Sequence, residues 1–237
     1  MIEARDLTKI YGAHTVVDGI SLAIKKGTIF GFLGPNGAGK TTTIKMLVGL
    51  NKPTKGTVRI DGKDPAEHRM RENIGFMPES PVFYEHLTGY EFLKFCGDLF
   101  HAKAKSQGYY FDILKKVGLS EARDQMIKYY SKGMKQRMAF AQAIVNDPDY
   151  LFLDEPLDGL DPIGRRELKK IIKSLNKEGK TIFFNSHILF DTEELCHEIG
   201  ILNRGTLIYS GPIEAFTKGR SLEEQFVTSI EKISKPL

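Results

Sequence analysis

Apolar runs of four to six residues alternate along the chain with amphipathic segments of ten or more, the pattern of an α/β domain whose mainly parallel sheet is covered on both faces. Residues 29–33, 73–77, 150–153 and 181–185 read as buried core strands. Residues 15–32 differ: apolar and polar positions roughly alternate around Lys25-Lys26-Gly27, which predicts an antiparallel hairpin ahead of the parallel core. Residues 56–62 read as another short strand between glycines. Across residues 81–145 the strand pattern gives way to helical spacing, marked by Tyr90, Phe92, Leu93 and Phe95 and then by Ile113, Leu114 and Val117. That predicts a helical subdomain inserted into a single domain of residues 1–220. Leu222, Phe226 and Ile230 place a further helix in a tail, residues 221–237, expected to dock loosely.

Composition narrows the class. A length of 237 residues accommodates one α/β core, not two. No apolar stretch approaches the ~18 residues of a membrane-spanning helix. The opening Met1-Ile2-Glu3-Ala4-Arg5-Asp6 lacks the layout of a secretory signal, so a cytoplasmic location is expected. Cys96 and Cys196 lie in apolar-patterned segments and read as buried free thiols. The net charge of +4 is spread along the length without a block of like charge, so no nucleic-acid partner is expected, while an anionic lipid surface is compatible with it.

The segment Gly34-Pro35-Asn36-Gly37-Ala38-Gly39-Lys40-Thr41 satisfies G-x-x-x-x-G-K-[ST] between an apolar strand, residues 29–33, and a helix-patterned run, residues 42–50. In that context it is a P-loop, a phosphate cradle. Gly34, Gly37 and Gly39 are expected in backbone conformations closed to residues with a Cβ, turning successive N–H groups inward at the positive end of the following helix. Lys40 is expected to reach the β and γ phosphates, Thr41 to ligate Mg²⁺ and Thr42 to bond the α phosphate. Residues 150–155 then deliver Asp154 and Glu155 at the carboxyl end of a strand, where open α/β sheets bind ligands. Alone, such a pair has a second reading, as a turn or helix cap. Beside a P-loop, Asp154 is expected to hold Mg²⁺ through water and Glu155 to orient or deprotonate an attacking water, the two pointing opposite ways because strand neighbours alternate. Ser131 precedes Met134, Met138, Ala141, Ile144 and Val145 at helical spacing, so it reads as an N-cap, ordinary or anion-binding. Asp161-Pro162 reads as a helix start.

Taken in order, these motifs resemble those of the nucleotide-binding subunit of ATP-binding cassette transporters, over about residues 2–226. Ile74-Gly75-Phe76-Met77-Pro78-Glu79 is similar to the family's Q-loop and Tyr130-Ser131-Lys132-Gly133-Met134-Lys135-Gln136-Arg137 to its signature. Asp154-Glu155-Pro156 follows, then Gly159-Leu160-Asp161 like its D-loop and Ser186-His187 like its H-loop. The resemblance implies an α/β P-loop NTPase core with a mainly parallel sheet, an N-terminal antiparallel β subdomain and an inserted α-helical subdomain. It implies ATP with magnesium, held by residues 34–42: Gly34, Pro35, Asn36, Gly37, Ala38, Gly39, Lys40, Thr41 and Thr42. Tyr11 would stack on adenine; read alone, it is a surface or core tyrosine. Glu155, His187 and Lys40 would be catalytic, with Thr41, Asp154 and Glu79 around the metal. Ser131 and the N–H of Gly133 would meet the γ phosphate of a second copy in a head-to-tail homodimer, with Asp161 coupling the two sites.

Two positions depart from the family pattern. The signature keeps Ser131 and Gly133 but has Lys132 for a glycine and Met134 for a glutamine, and the Q-loop carries Glu79, an acceptor-only carboxylate, in place of glutamine. Both, together with the closing Ser221-Leu222-Glu223-Glu224-Gln225-Phe226, are similar to the branch that serves drug, antibiotic, polysaccharide and related multi-spanning exporters. The resemblance thus implies an ATPase on the inner face of the membrane, driving a separate integral membrane subunit. A soluble cassette acting on ribosomes or DNA is the rival reading; such proteins usually carry two cassettes or a long coiled-coil insertion.

Overall fold

The computed structural model describes residues 1–100 and 105–234. β1 (Ile2–Tyr11) and β2 (His14–Ile24) pair antiparallel, with Tyr11 opposite His14 across the Gly12-Ala13 turn. The hairpin expected around Lys25-Lys26-Gly27 is therefore displaced: that turn carries the chain from β2 into β3 (Ile29–Leu33), a strand of a different sheet. The alternation of β2 was a true strand signal, but it does not name the partner. β1 escaped notice because its register shifts after Ala4, where Asp6 takes φ 49°, and a bulge breaks the two-residue period. After α1 (Lys40–Leu47), β4 (Lys55–Ile60) completes the small sheet in the order β2-β1-β4.

The larger sheet has the order β5-β6-β7-β3-β8-β9. A short helix, α2 (His68–Arg71), leads into β5 (Ile74–Met77). β5, β6 (Tyr150–Asp154), β7 (Thr181–Asn185), β3 and β8 (Glu198–Asn203) run parallel, and β9 (Thr206–Pro212) returns antiparallel to β8. The β8–β9 hairpin turns on Arg204 and Gly205, both at positive φ (48° and 82°), the conformation of a primed two-residue turn.

β3, β6 and β7 are buried at every position, as continuous apolar runs in a doubly covered parallel sheet require. One face presents Phe30, Phe32, Phe152 and Phe183 to Ile44 and Leu47 of α1 and to the small sheet. The Phe183 ring lies 5.7, 5.2 and 5.7 Å from Phe30, Phe32 and Phe152. The other face presents Leu33, Leu151, Leu153 and Phe184 to the helices that follow.

Those helices are α3 (Gly89–Phe100), α4 (Gln107–Lys116), α5 (Lys132–Ile144) and α6 (Pro162–Lys177). The first three fall within the expected insertion, of which residues 101–104 lie outside the described residues. Asp161 caps α6, its Oδ1 accepting from the Gly164 N–H at 2.9 Å. α7 (Leu189–Leu195) packs so closely over β3 that a Cβ on Gly31 would lie 2.6 Å from Thr192 Cγ2. α8 (Ile213–Thr217) and α9 (Leu222–Ser234) end the described chain. Leu222 is fully buried, with Phe226 and Ile230 packed on the core, so the tail is anchored rather than loosely docked; residues 235–237 of the predicted tail lie outside the described residues. Cys96 and Cys196 are buried and unpaired, and burial pushes the Cys96 thiol up to about 11. Among the described residues no helix is long and apolar enough to cross a membrane.

Phe183→Ala removes the ring shared by three strands, and urea denaturation is expected to show a loss of about 3–5 kcal/mol.

Candidate functional site

Parallel strands end on the same edge of a sheet, so the loops after β3, β6 and β7 converge. They enclose a cleft of about 320 Å³ lined by Asn36, Gly37, Gly39, Lys40, Thr41 and Thr42 from the P-loop and α1, by Glu79 beyond β5, by Asp154 and Glu155, and by Asn185 and Val16.

The P-loop glycines serve two different ends. Gly37 and Gly39 have φ 78° and 104°, the left-handed region. Gly34 does not, contrary to the expectation for all three; it is required by space, since a Cβ there would sit 2.3 Å from the Leu202 carbonyl oxygen of β8. Gly39 is tight as well, 2.6 Å from the Val16 carbonyl oxygen. The β8–β9 turn fixes the loop from behind, the Gly205 N–H donating to the Ala38 carbonyl at 3.0 Å. Lys40 is buried and its ammonium donates to the carbonyls of Gly34 and Pro35 at 2.8 and 3.2 Å. Burial lowers its pKa, opposed by the nearby carboxylates of Glu155, Asp154 and Glu79.

Asp154 is fully buried at the end of β6. The Asn185 amide donates to its Oδ1, and its Oδ2 has no hydrogen-bond partner. Burial raises its pKa, opposed by the Asn185 amide and the Thr41 side chain. Glu155 was expected to face away from Asp154; instead both line the cleft. The strand ends at Asp154, and Glu155 takes φ 53°, so strand alternation no longer governs it. Its N–H donates to the Asn185 carbonyl at 2.9 Å. Its Oε2 accepts from the His187 N–H at 3.2 Å and lies 2.8 Å from His187 Nδ1. Burial raises the Glu155 pKa and His187 is the main opposing influence. An orphaned buried carboxylate oxygen, with the Thr41 side chain and Glu79 on the same cleft, fits a hard cation that takes oxygen ligands. Among the described residues no three His, Cys, Asp or Glu side chains gather as a metal-holding group.

Of the predicted residues, Tyr11, Gly34, Pro35, Ala38, Ser131, Gly133 and His187 are not among those that line the cleft. Tyr11 ends β1, half exposed, its hydroxyl accepting from Asn51 at 3.2 Å and its ring 4.9 Å below the Lys9 ammonium. Ser131 caps α5, its Oγ accepting from the Met134 N–H at 3.2 Å, and Gly133 lies in the first turn. The two stand at the start of α5, and neither lines the cleft of its own chain. Asn185, Val16 and Leu202 were missed by sequence reading. Nothing in their residue types marks them, since each acts through where its strand ends or crosses the loop.

The ABC transporter family profile matches residues 17–158. An uncharacterized ABC transporter ATP-binding protein of Nostoc sp. (strain PCC 7120) is 43% identical over 90% of this chain, which spans 67% of that protein. The bacitracin transport ATP-binding protein BcrA of Enterococcus faecalis is 41% identical over 99% of this chain and 76% of its own length. Against some relatives, such as a similar uncharacterized protein of Synechocystis sp., the chain spans 63% of the length. Among solved structures, an ATP-binding subunit of an ABC transporter superposes with TM-score 0.89 at 29% identity, covering 97% of this chain and 99% of that one. A dimeric post-hydrolysis state of an ATP-binding cassette bound to ADP and Pi superposes with TM-score 0.85 at 25% identity, covering 90% and 99%.

Gly34→Ala forces the loop off β8, and displacing the cradle by about 1 Å is expected to weaken function by about 10²-fold. Gly37→Ala, with open space within 4 Å, meets only the strain of its φ. Titration with a fluorescent ATP analogue checks this: Gly34→Ala should bind far more weakly than Gly37→Ala.

Proposed function

The chain belongs to the ABC transporter family as an ATP-binding, ATP-hydrolysing subunit, and from that premise we propose that it powers a separate integral membrane subunit that exports its substrate. The observation that carries the catalytic assignment is the convergence of Lys40, Asp154, Glu155 and His187 at one sheet edge. The P-loop amides, Lys40 and Thr42 hold the ATP phosphates. Glu155 orients a water and takes its proton as the water oxygen bonds the γ phosphorus; the bond from that phosphorus to the oxygen bridging the β phosphate breaks, leaving ADP and phosphate. His187 holds the Glu155 carboxylate toward the cleft through two contacts. Thr41, Asp154 and Glu79 would hold magnesium, which when bound supplies charge neutralisation to the phosphates.

Two copies arranged head to tail would bring Ser131 and the amide of Gly133 of one against the γ phosphate held by the other, with Tyr11 stacking on adenine. Closure on ATP and reopening after hydrolysis would drive the membrane subunit between two states. The surface offered to that subunit is the side around Glu79 and α3, where Val82, Tyr84, Phe95 and Leu99 are exposed large apolar side chains. The protein would then sit peripherally on the cytoplasmic face of the membrane. Relatives named for bacitracin and lantibiotic transport favour export of such compounds over a soluble cassette acting on ribosomes or DNA.

Purification of the tagged chain from its own membranes in mild detergent is expected to bring a stoichiometric multi-spanning protein; ribosomal proteins or nucleic acid in its place would refute the transporter reading. Glu155→Gln is expected to retain ATP binding and lose about 10²–10⁴-fold in hydrolysis, the span of a positioned general base. The pH profile tests the pairing with His187. Hydrolysis needs Glu155 ionised, so kcat falls as pH drops through a pKa that burial has raised. His187→Ala removes the main influence holding that pKa down, so the acid limb of the kcat profile should move to higher pH.

A further inference from the structure

Glu155 occupies a left-handed backbone conformation, φ 53°, that a side chain with a Cβ adopts only when its surroundings hold it there. Part of that restraint comes from its own carbonyl oxygen. It accepts a 2.9 Å hydrogen bond from the side-chain amide of Gln136, a residue 95% buried, and a second at 3.2 Å from the Asp158 N–H. Gln136 lies on α5, one turn beyond Lys132. The Lys132 ammonium pairs with the Asp158 carboxylate at 2.9 Å, which holds the Asp158 pKa below its usual range. The stem of Lys132 crosses Gly159, where a Cβ would lie 2.5 Å from its Cε. Residues 132 and 136 share a helix face, so one face of α5 grips the segment from Glu155 to Asp158 at two points, one buried and one exposed.

We propose that Gln136 is a positioning residue for Glu155, assisted by Lys132. Together they fix the turn that aims the Glu155 carboxylate into the cleft and tie it to the helix whose start, Ser131 and Gly133, would face a second copy. The inference rests on the hydrolytic role of Glu155. Gln136 does not line the cleft and reaches it through the backbone of Glu155; its amide is a buried donor whose removal leaves the carbonyl with the longer of its two bonds. Lys132 stands where the family's common signature has glycine, which makes the second point of the grip a feature of this chain. The exposed ion pair adds little to stability, but it lies on the turn it has to hold.

Gln136→Met keeps the volume and removes the donor. Steady-state ATPase assays on the purified chain are expected to show kcat reduced about tenfold with KM for ATP and nucleotide affinity within about twofold of the parent, the loss expected when a group acts only in the transition state. In the Glu155→Gln background the same change should cost nothing further, because a residue acting through Glu155 has no carboxylate left to aim. Lys132→Met, at an exposed position that does not endanger folding, is expected to lower kcat about twofold at low salt, with the difference from the parent closing near 1 M salt as screening removes the pair. An equal fall of affinity and kcat in Gln136→Met, or a full further loss in the double variant, would overturn the proposal. If Gln136→Met does not fold, a Lys132→Met rate equal to the parent's at low salt overturns it by itself. Parental hydrolysis in Glu155→Gln would instead remove the catalytic reading beneath it, so the two failures are distinguishable.

Discussion

Asp154 and Glu155 are chain neighbours, both buried, and both turned into one cleft by the left-handed backbone at Glu155. Two carboxylates so placed lose water and repel each other, a cost that only fixed donors and cations offset. Lys40 supplies the cation from the facing loop, the Asn185 amide meets one acid and the Asn185 carbonyl the other's N–H, and His187 meets the Glu155 carboxylate. The partners come from the ends of β3 and β7, and the acids they meet from the end of β6. The topology of the larger sheet is thus the means by which the charge constellation is assembled.

The same constraint explains why the scaffold is tight behind the cleft. The P-loop can present Lys40 only if it lies flat on β8 and β2, and Gly34 and Gly39 are the positions where no side chain fits between. The Gly205 N–H holds that packing from the β8–β9 turn, and the Val16 carbonyl of β2 leaves no room for a side chain at Gly39. On the other side, α5 couples the Glu155 turn to a helix start that its own cleft does not use. A catalytic turn braced by such an element suits a site whose completion depends on a second copy.

Much of this was legible in the chain. Continuous apolar runs located β3, β5, β6 and β7 because strands buried on both faces have no polar positions to confuse the pattern. The P-loop and the acid pair were legible because their chemistry needs particular residue types at particular spacing. The hairpin partner of β2 was not, since alternation identifies a strand without naming its neighbour and a bulge at Asp6 disguised β1. The direction of Glu155 was misread because the period of a strand was extended one residue past its end. Asn185 and Gln136 were invisible as site residues: their importance lies in hydrogen bonds to Asp154 and to the backbone of Glu155, contacts made across 31 and 19 residues of sequence.

The central claim is that the cleft is half of a site that a second copy completes. Sedimentation of Glu155→Gln with saturating Mg-ATP measures it directly. The species expected has twice the 26.7 kDa chain mass, holds two nucleotides, and reverts to the single chain when Ser131→Ala is added or when nucleotide is removed. A species that binds one ATP per chain and stays at the single-chain mass at every concentration would contradict it.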